Sequence, residues 1–100
     1  MRIIVRASLV AYWLRHPETK PSLEHWLRVT RLAAWRTPLE IVETFPKAKV
    51  LNDERVRFEV AGGNHRMIVA YRFDAQIARI KFLGTHAEYD RINALTVSQF

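Results

Sequence analysis

Three stretches in the second half of the chain alternate apolar and polar residues, and this alternation restricts the fold more than any other feature. It covers residues 56–60, 67–73 and 78–83. Successive side chains of a β-strand point to opposite faces, so each stretch is predicted to be a strand with one buried face. Clusters typical of turns separate the stretches at residues 62–64 and 74–76. The second half is therefore predicted to be a three-stranded antiparallel meander.

The first half of the chain carries helical signals. A short strand is predicted at residues 2–5, and Thr37-Pro38-Leu39-Glu40 reads as the capped start of a short helix. Two earlier segments repeat apolar residues at helical spacing. Their stripes are Leu9, Val10, Trp13 and Leu14, and then Leu23, Trp26, Leu27, Thr30 and Ala33-Ala34. The fold class expected is α+β: a small antiparallel-rich sheet, N-terminal helices packed on one face, and a short C-terminal helix, all in one domain over residues 1–100.

Composition excludes several kinds of protein. The chain has no Cys, which rules out disulfides, a thiol nucleophile and a Cys-based zinc site. Its four His residues show no metal-binding spacing, so neither a metal nor a cofactor is expected. The apolar run Ile3-Ile4-Val5 is too short for a signal peptide, which predicts a cytoplasmic protein that does not associate with membranes. The net charge of +6 favours an anionic partner such as nucleic acid.

The strand register predicts where the positive charge lies. Two-residue turns would place Phe58, Val69 and Phe82 side by side on the apolar face. Like charges directly opposite one another destabilise a sheet, so a row of Arg on the other face suggests that an anion covers it, either RNA phosphate or acidic side chains of a partner. The alternative is a set of solvated side chains that fan apart. The predicted rows are Arg55–Arg72–Arg79 and Arg57–Ala70–Lys81, with Arg66 opposite Thr85.

The segment Phe82–Asp90 places polar side chains next to this charge. Thr85 and Glu88 have the spacing of a capping box, which explains both residues structurally. His86 and Tyr89 lie three residues apart and share one side of the predicted helix. A His, a Tyr and two carboxylates beside Arg and Lys suggest chemistry on a polyanion such as RNA. The residues taken alone still favour a core Tyr and a surface His.

The chain resembles a known family over nearly its whole length. The resemblance rests on Trp35-x-Thr37-Pro38, on Val56-x-Phe58-x-Val60, on the Gly-rich turn before Arg66, and above all on Phe82-x-Gly84-Thr85-His86-Ala87-Glu88-Tyr89-Asp90-x-Ile92. These motifs resemble HigB-type toxins of type II toxin–antitoxin systems, within the RelE-like group. The resemblance departs at one turn, where Gly63 stands in place of the family's Asn and His65 in place of its aromatic residue.

The resemblance implies a RelE-like fold with an open basic sheet face and an endoribonuclease that cleaves mRNA, usually on the translating ribosome. It also implies a HigA-type antitoxin with a helix-turn-helix domain, and cleavage by the substrate's own 2′-hydroxyl without a metal. On this basis His86 and Tyr89 are expected to transfer protons, and Arg66 and Lys81 to contact the phosphate. The expected RNA-binding residues are Arg55, Arg57, Arg72 and Arg79.

Two alternatives stay open at this point. The first is a non-catalytic basic module that binds nucleic acid or the ribosome and blocks translation without cutting RNA. The second is a gyrase-directed toxin of the ParE kind, against which the Thr85–Asp90 motif argues by resemblance. The products of cleavage distinguish an endoribonuclease from a blocking module, because a blocking module leaves mRNA intact.

Overall fold

The computed structural model describes residues 1–100 and contains a five-stranded sheet. The strand order is β1-β5-β4-β3-β2, with β1 parallel to β5 and the other pairs antiparallel. This confirms the predicted α+β class and adds a short edge strand, β2. The elements are β1 (Arg2–Ile4), α1 (Arg6–Arg15), α2 (Lys20–Leu32), α3 (Pro38–Thr44), β2 (Lys49–Val50), β3 (Arg55–Val60), β4 (His65–Arg72), β5 (Ile77–Thr85) and α4 (His86–Tyr89), with 3-10 turns at Pro17–Thr19 and Ala61–Gly63.

The helices bury one apolar stripe each against the sheet. In α2 the predicted stripe is confirmed as far as Thr30, because Leu23, Trp26, Leu27 and Thr30 are all buried. The predicted continuation at residues 33–34 is wrong, because the helix ends at Leu32. In α1 the prediction is only partly right, since Leu9 is buried but Leu14 is 72% exposed. The face that α1 buries runs through Leu9 and Tyr12, which are three residues apart. None of the helices has the length and apolar character needed to span a membrane.

Both predicted capping boxes are present. The Thr37 hydroxyl accepts the backbone N–H of Glu40, and the Glu40 carboxylate accepts the backbone N–H of Thr37. Thr85 and Glu88 make the same reciprocal pair at the start of α4. A helix of four residues has almost no internal hydrogen bonding, so α4 depends on this cap and on its contacts with the sheet.

The two hairpin loops contain four residues each rather than the two predicted. Val60 pairs with His65, and Arg72 pairs with Ile77. In the first loop Ala61–Gly63 forms a 3-10 turn with positive φ angles at all three residues. Next to the loops, each register therefore differs from the predicted one by two residues. A shift of two leaves every side chain on its predicted face, so the assignment of faces survives in β3 and β4.

A β-bulge in β5 changes the faces near its end. Val69 pairs with Ile80, but the preceding Ile68 pairs with Phe82, so Lys81 is the extra residue. Beyond the bulge the alternation is reversed: Leu83 joins the core, while Phe82 is buried outside the core cluster. The prediction that Phe82 lies on the apolar face beside Val69 was therefore wrong, because a bulge cannot be seen in the alternation itself.

The bulge and the loop lengths also change the rows on the face opposite the helices, which we call the outer face. The predicted row of three Arg is wrong, because Arg72 pairs with Ile77 at the end of the strand. Arg66 lies opposite Gly84 rather than Thr85. The observed rows are Arg55–Ala70–Arg79, Arg57–Ile68–Phe82 and Glu59–Arg66–Gly84.

The C-terminal segment covers part of the outer face, which is therefore less open than predicted. Arg55 Nη1 donates hydrogen bonds to the carbonyl oxygens of Ala94 (3.1 Å) and Val97 (2.8 Å). Gln99 binds the edge of β5, donating from its N–H to the Lys81 carbonyl (2.9 Å) and accepting from the Leu83 N–H (2.8 Å). The outer face carries buried apolar residues, which a fully solvated face would not.

Candidate functional site

Arg66 and Tyr89 come together where β4 meets α4. The guanidinium carbon of Arg66 lies 5.8 Å from the centroid of the Tyr89 ring. This is within the range of a cation–π contact, which holds the guanidinium over the ring. Arg66 Nε also donates to the carbonyl oxygen of Gly63 at 3.3 Å. Arg66 and Tyr89, two of the four predicted catalytic residues, are thus in contact. The other N–H groups of the Arg66 guanidinium make no hydrogen bond within the chain.

Gly84 allows this arrangement by having no side chain. A Cβ at residue 84 would lie 2.6 Å from Phe82 Cζ and 3.1 Å from Glu88 Oε1. The Phe82 ring therefore folds across Gly84 and meets the Tyr89 ring at 61°, with centroids 6.2 Å apart. The Gly of the Phe-x-Gly-Thr motif is accordingly required by packing, and Phe82 supports the ring on which Arg66 rests.

His86 is the first residue of α4 and is exposed. Its Nδ1 lies 3.1 Å from Oδ2 of Asp90, one helical turn further on. Its backbone N–H donates to the carbonyl oxygen of Asn64 at 2.9 Å, which fixes the start of α4 against the loop between β3 and β4. Asp90 was not among the predicted site residues, although its spacing of four from His86 was visible in the sequence. The contact leaves the Nε2 of His86 free for a substrate.

Glu88 caps the start of α4, and this contact lowers the pKa of its carboxyl group. A hydrogen bond from the backbone N–H of Thr85 lowers the pKa of Glu88 below its ordinary value, with a smaller contribution from the Thr85 hydroxyl. Glu88 therefore remains a carboxylate that accepts the capping hydrogen bonds. This leaves His86 and Tyr89 as the residues of the motif that are available for proton transfer.

Lys81 belongs to a second basic cluster, separate from Arg66. Burial lowers the pKa of Lys81, and the positive charges of Arg55 and Arg79 lower it further. Arg79 is exposed and makes no side-chain hydrogen bond or ion pair. Three cations held this close together repel one another, so an anion bound between them would relieve the repulsion. The third cation near Arg55 and Arg79 is thus Lys81 and not the predicted Arg72.

The other two predicted RNA-binding residues already have acidic partners. Arg57 Nη2 lies 3.5 Å from Glu59 Oε2, and only 15% of the Arg57 side chain is exposed. Arg72 lies at the end of β4, where its Nη2 is 3.4 Å from Asp74 Oδ2 and lowers the pKa of that carboxyl group. Arg72 remains 67% exposed and is free to exchange Asp74 for another anion, whereas Arg57 is largely committed to the fold.

His65, whose role the sequence left open, lies on the core face with its ring buried. Its Nδ1 shares a hydrogen bond with the Tyr12 hydroxyl (2.7 Å), and its Nε2 lies 3.2 Å from Glu18 Oε2. The ring of His16 is 5.1 Å from that of His65. The His residues that look scattered in the sequence therefore converge in part. Spacing alone did not predict this, because α1, the 3-10 turn and β4 contribute the residues from distant parts of the chain.

A comparison with known families agrees with these features. Residues 19–92 match the family model of HigB_toxin, described as the RelE-like toxic component of a toxin–antitoxin system. The match covers well over half of the chain and includes the whole of α2, the complete sheet except β1, and α4. No curated protein matches the sequence. The chain therefore belongs to the HigB family of RelE-like toxins of toxin–antitoxin systems.

Proposed function

We propose that the protein is an endoribonuclease that cleaves mRNA on the translating ribosome in the cytoplasm, with residues 1–100 forming one toxin domain. The observation that carries this proposal is the contact between Arg66 and Tyr89 beside the His86–Asp90 pair. A fixed positive charge, a hydroxyl and an imidazole with a free nitrogen meet the needs of phosphodiester cleavage.

The proposed reaction uses the 2′-hydroxyl of the RNA as its nucleophile. His86 Nε2 takes the proton from O2′ as O2′ attacks the adjacent phosphorus, and Asp90 orients the imidazole and stabilises its protonated form. The bond from phosphorus to O5′ then breaks, and the Tyr89 hydroxyl gives its proton to O5′. Arg66 neutralises the charge that builds on the phosphate oxygens. The products are a 2′,3′-cyclic phosphate and a 5′-hydroxyl.

The basic cluster of Arg55, Arg79 and Lys81 is proposed to hold the RNA backbone or ribosomal RNA, with Arg72 at its margin. The tail carbonyls of Ala94 and Val97 now occupy one side of Arg55. A HigA-type antitoxin with a helix-turn-helix domain would compete for the same cluster through acidic side chains. Binding to the antitoxin and binding to RNA are then mutually exclusive.

Affinity for RNA should fall steeply as salt rises. Each phosphate contact to single-stranded RNA contributes about −0.7 to the slope of log K against log salt concentration, because counterions are released. Arg79→Ala should make this slope shallower by about 0.7 to 1. Fluorescence anisotropy with a labelled single-stranded RNA measures the slope. Arg28→Ala removes an exposed charge from α2 and is the matched control, for which the wild-type slope is expected. An Arg79→Ala slope equal to that of Arg28→Ala would contradict the assignment.

Replacing Tyr89 by Phe should separate the two uses of this residue. The ring, and with it the position of Arg66, is retained, while the hydroxyl that protonates O5′ is lost. We expect the cleavage rate to fall by about 10²-fold with little change in RNA binding. Tyr89→Ala should lose both activity and binding, because Arg66 also loses the ring beneath it. Single-turnover cleavage rates of the wild type and the two variants measure these effects. If Tyr89→Phe cleaves RNA at the wild-type rate, Tyr89 only supports Arg66 and does not transfer a proton.

The proposal as a whole is tested by incubating the protein with mRNA-loaded ribosomes and analysing the RNA. New RNA fragments are expected, and they should be absent when Arg66 and His86 are both replaced. Intact mRNA together with inhibited translation would favour a non-catalytic blocking module instead.

A further inference from the structure

Two imidazoles and a carboxylate converge at the end of the core face, on the side of the sheet opposite to Arg66. A nitrogen of His16, an oxygen of Glu18 and a nitrogen of His65 all lie within 4.8 Å of one another. One of these separations, from His65 Nε2 to Glu18 Oε2, is 3.2 Å. Ligand atoms around a tetrahedral zinc ion are about 3.3 Å apart, because each lies ~2.0–2.1 Å from the metal. The His65–Glu18 pair already has this separation.

The segment that carries His16 and Glu18 is held firmly. His16 closes α1, with its N–H donating to the Tyr12 carbonyl. The buried Thr19 donates both its N–H and its hydroxyl to the His16 carbonyl, the hydroxyl at 2.7 Å. Pro17 stands between the two candidate ligands and restricts the backbone further. The exposed Glu18 side chain is free to adjust by the ångström or so that coordination requires.

We propose that His16, Glu18 and His65 form a binding site for a divalent transition-metal ion of the zinc class. Two imidazoles and one carboxylate are ligands typical of zinc, cobalt and nickel, whereas magnesium and calcium prefer oxygen ligands alone. The ion would join the end of α1, the 3-10 turn and the start of β4. Solvent would supply the fourth ligand, since Glu18 is exposed and His16 is half-buried.

The surroundings of His65 favour this role. A metal-bound His normally uses its second ring nitrogen in a hydrogen bond, and the Tyr12 hydroxyl provides a partner for Nδ1 at 2.7 Å. The hydroxyl oxygen of Tyr12 is able to accept a hydrogen bond from Nδ1–H while Nε2 binds the metal. The guanidinium carbon of Arg15 lies over the Tyr12 ring, 5.8 Å from its centroid.

The site is distinct from the one proposed for cleavage. His65 and Arg66 are neighbours in β4, so their side chains project to opposite faces of the sheet. Because His65 pairs with Thr85, the metal would stabilise the fold next to the start of α4 and would not itself contact the phosphate. Metal binding and RNA cleavage are accordingly measured by separate experiments, and either result stands without the other.

Titration of the tag-free protein with Co²⁺ tests the proposal. One equivalent of Co²⁺ should bind and produce visible absorption bands typical of low coordination number, and Zn²⁺ should remove them. His16→Ala and Glu18→Gln change exposed or half-buried residues, so both variants should fold while their Co²⁺ affinity falls at least tenfold. Tyr12→Phe should weaken binding by about tenfold through His65. His25→Ala, which removes an exposed imidazole from α2, is the matched control and should bind as wild type does.

The midpoint of thermal unfolding gives a second measure of metal binding. Zn²⁺ should raise the unfolding midpoint of the wild-type protein and of His25→Ala, because a ligand that binds only the native state stabilises it. It should leave the midpoint of the His16→Ala, Glu18→Gln double variant unchanged. Absence of the Co²⁺ bands, or wild-type affinity in the double variant, would overturn the proposal.

Discussion

Replacing Arg66 by Ala should lower the rate of mRNA cleavage by about 10²–10³-fold, the usual cost of removing one group that stabilises charge in a transition state. Arg66 is held by the Tyr89 ring and the Gly63 carbonyl, so its guanidinium needs no rearrangement when negative charge develops on the phosphate. The side chain contributes nothing to the core on the helix face. Folding and antitoxin binding should therefore be preserved.

His86→Ala should lower the rate by about 10²–10⁴-fold, because the 2′-hydroxyl loses its general base. His86 is exposed and its backbone N–H, which anchors α4 to Asn64, is unaffected by the substitution. Asp90→Asn should have a smaller effect, since it removes the charge beside Nδ1 and leaves the imidazole in place.

Single-turnover cleavage of ribosome-bound mRNA measures these effects. Arg28→Ala is the control for loss of a positive charge, because it lies on α2 at a distance from the outer face, and its rate should equal that of the wild type. Circular dichroism and antitoxin binding establish that each variant is folded. A folded Arg66→Ala, His86→Ala double variant that cleaves at the wild-type rate would refute the site, and the search would move to Lys81 and Arg57.

Replacing Trp26 by Ala should lower the free energy of unfolding by about 3–5 kcal/mol. Trp26 is 3% exposed, and its ring meets that of Phe58 edge to face with centroids 5.8 Å apart. Removing the indole leaves a cavity between α2 and β3 that neither element closes without distorting the sheet. Domains of this size are commonly stable by only about 5–15 kcal/mol, so the variant should be close to unfolding at physiological temperature.

Urea unfolding curves of three variants test this account of the core. Trp13 lies on the apolar stripe predicted for α1 but is only partly buried. Trp13→Ala should therefore lower the free energy of unfolding by less than Trp26→Ala does. Leu32→Ala is the control on α2 itself, because Leu32 is 91% exposed, and it should shift stability by no more than about 0.5 kcal/mol. Equal losses for Trp26→Ala and Leu32→Ala would contradict the packing of Trp26 against Phe58.

Features that depend on local sequence were predictable. The boxes at Thr37 and Thr85 need only a hydroxyl and a carboxylate at a fixed spacing, and both formed as expected. The faces of β3 and β4 followed from the alternation alone, because an error of two residues in register leaves every side chain on the same face.

Features that depend on tertiary structure were not predictable. The bulge at Lys81 inserts one residue without breaking the apolar pattern, so the predicted position of Phe82 was wrong. The predicted row of three Arg was wrong because both hairpin loops contain four residues and shift the register by two. The contacts of Arg55 with Ala94 and Val97 join residues about forty positions apart. The meeting of His16, Glu18 and His65 likewise depends on how α1 packs against β4. Each case requires knowledge of which elements are neighbours, which periodicity does not provide.

Mapping mRNA 5′ ends in a translating extract tests the central claim most directly. The wild-type protein should create new 5′ ends within translated regions, bearing 5′-hydroxyl groups, with upstream fragments that end in a 2′,3′-cyclic phosphate. The Arg66→Ala, His86→Ala double variant should create none. Inhibition of translation by the wild-type protein with every mRNA intact would contradict the account.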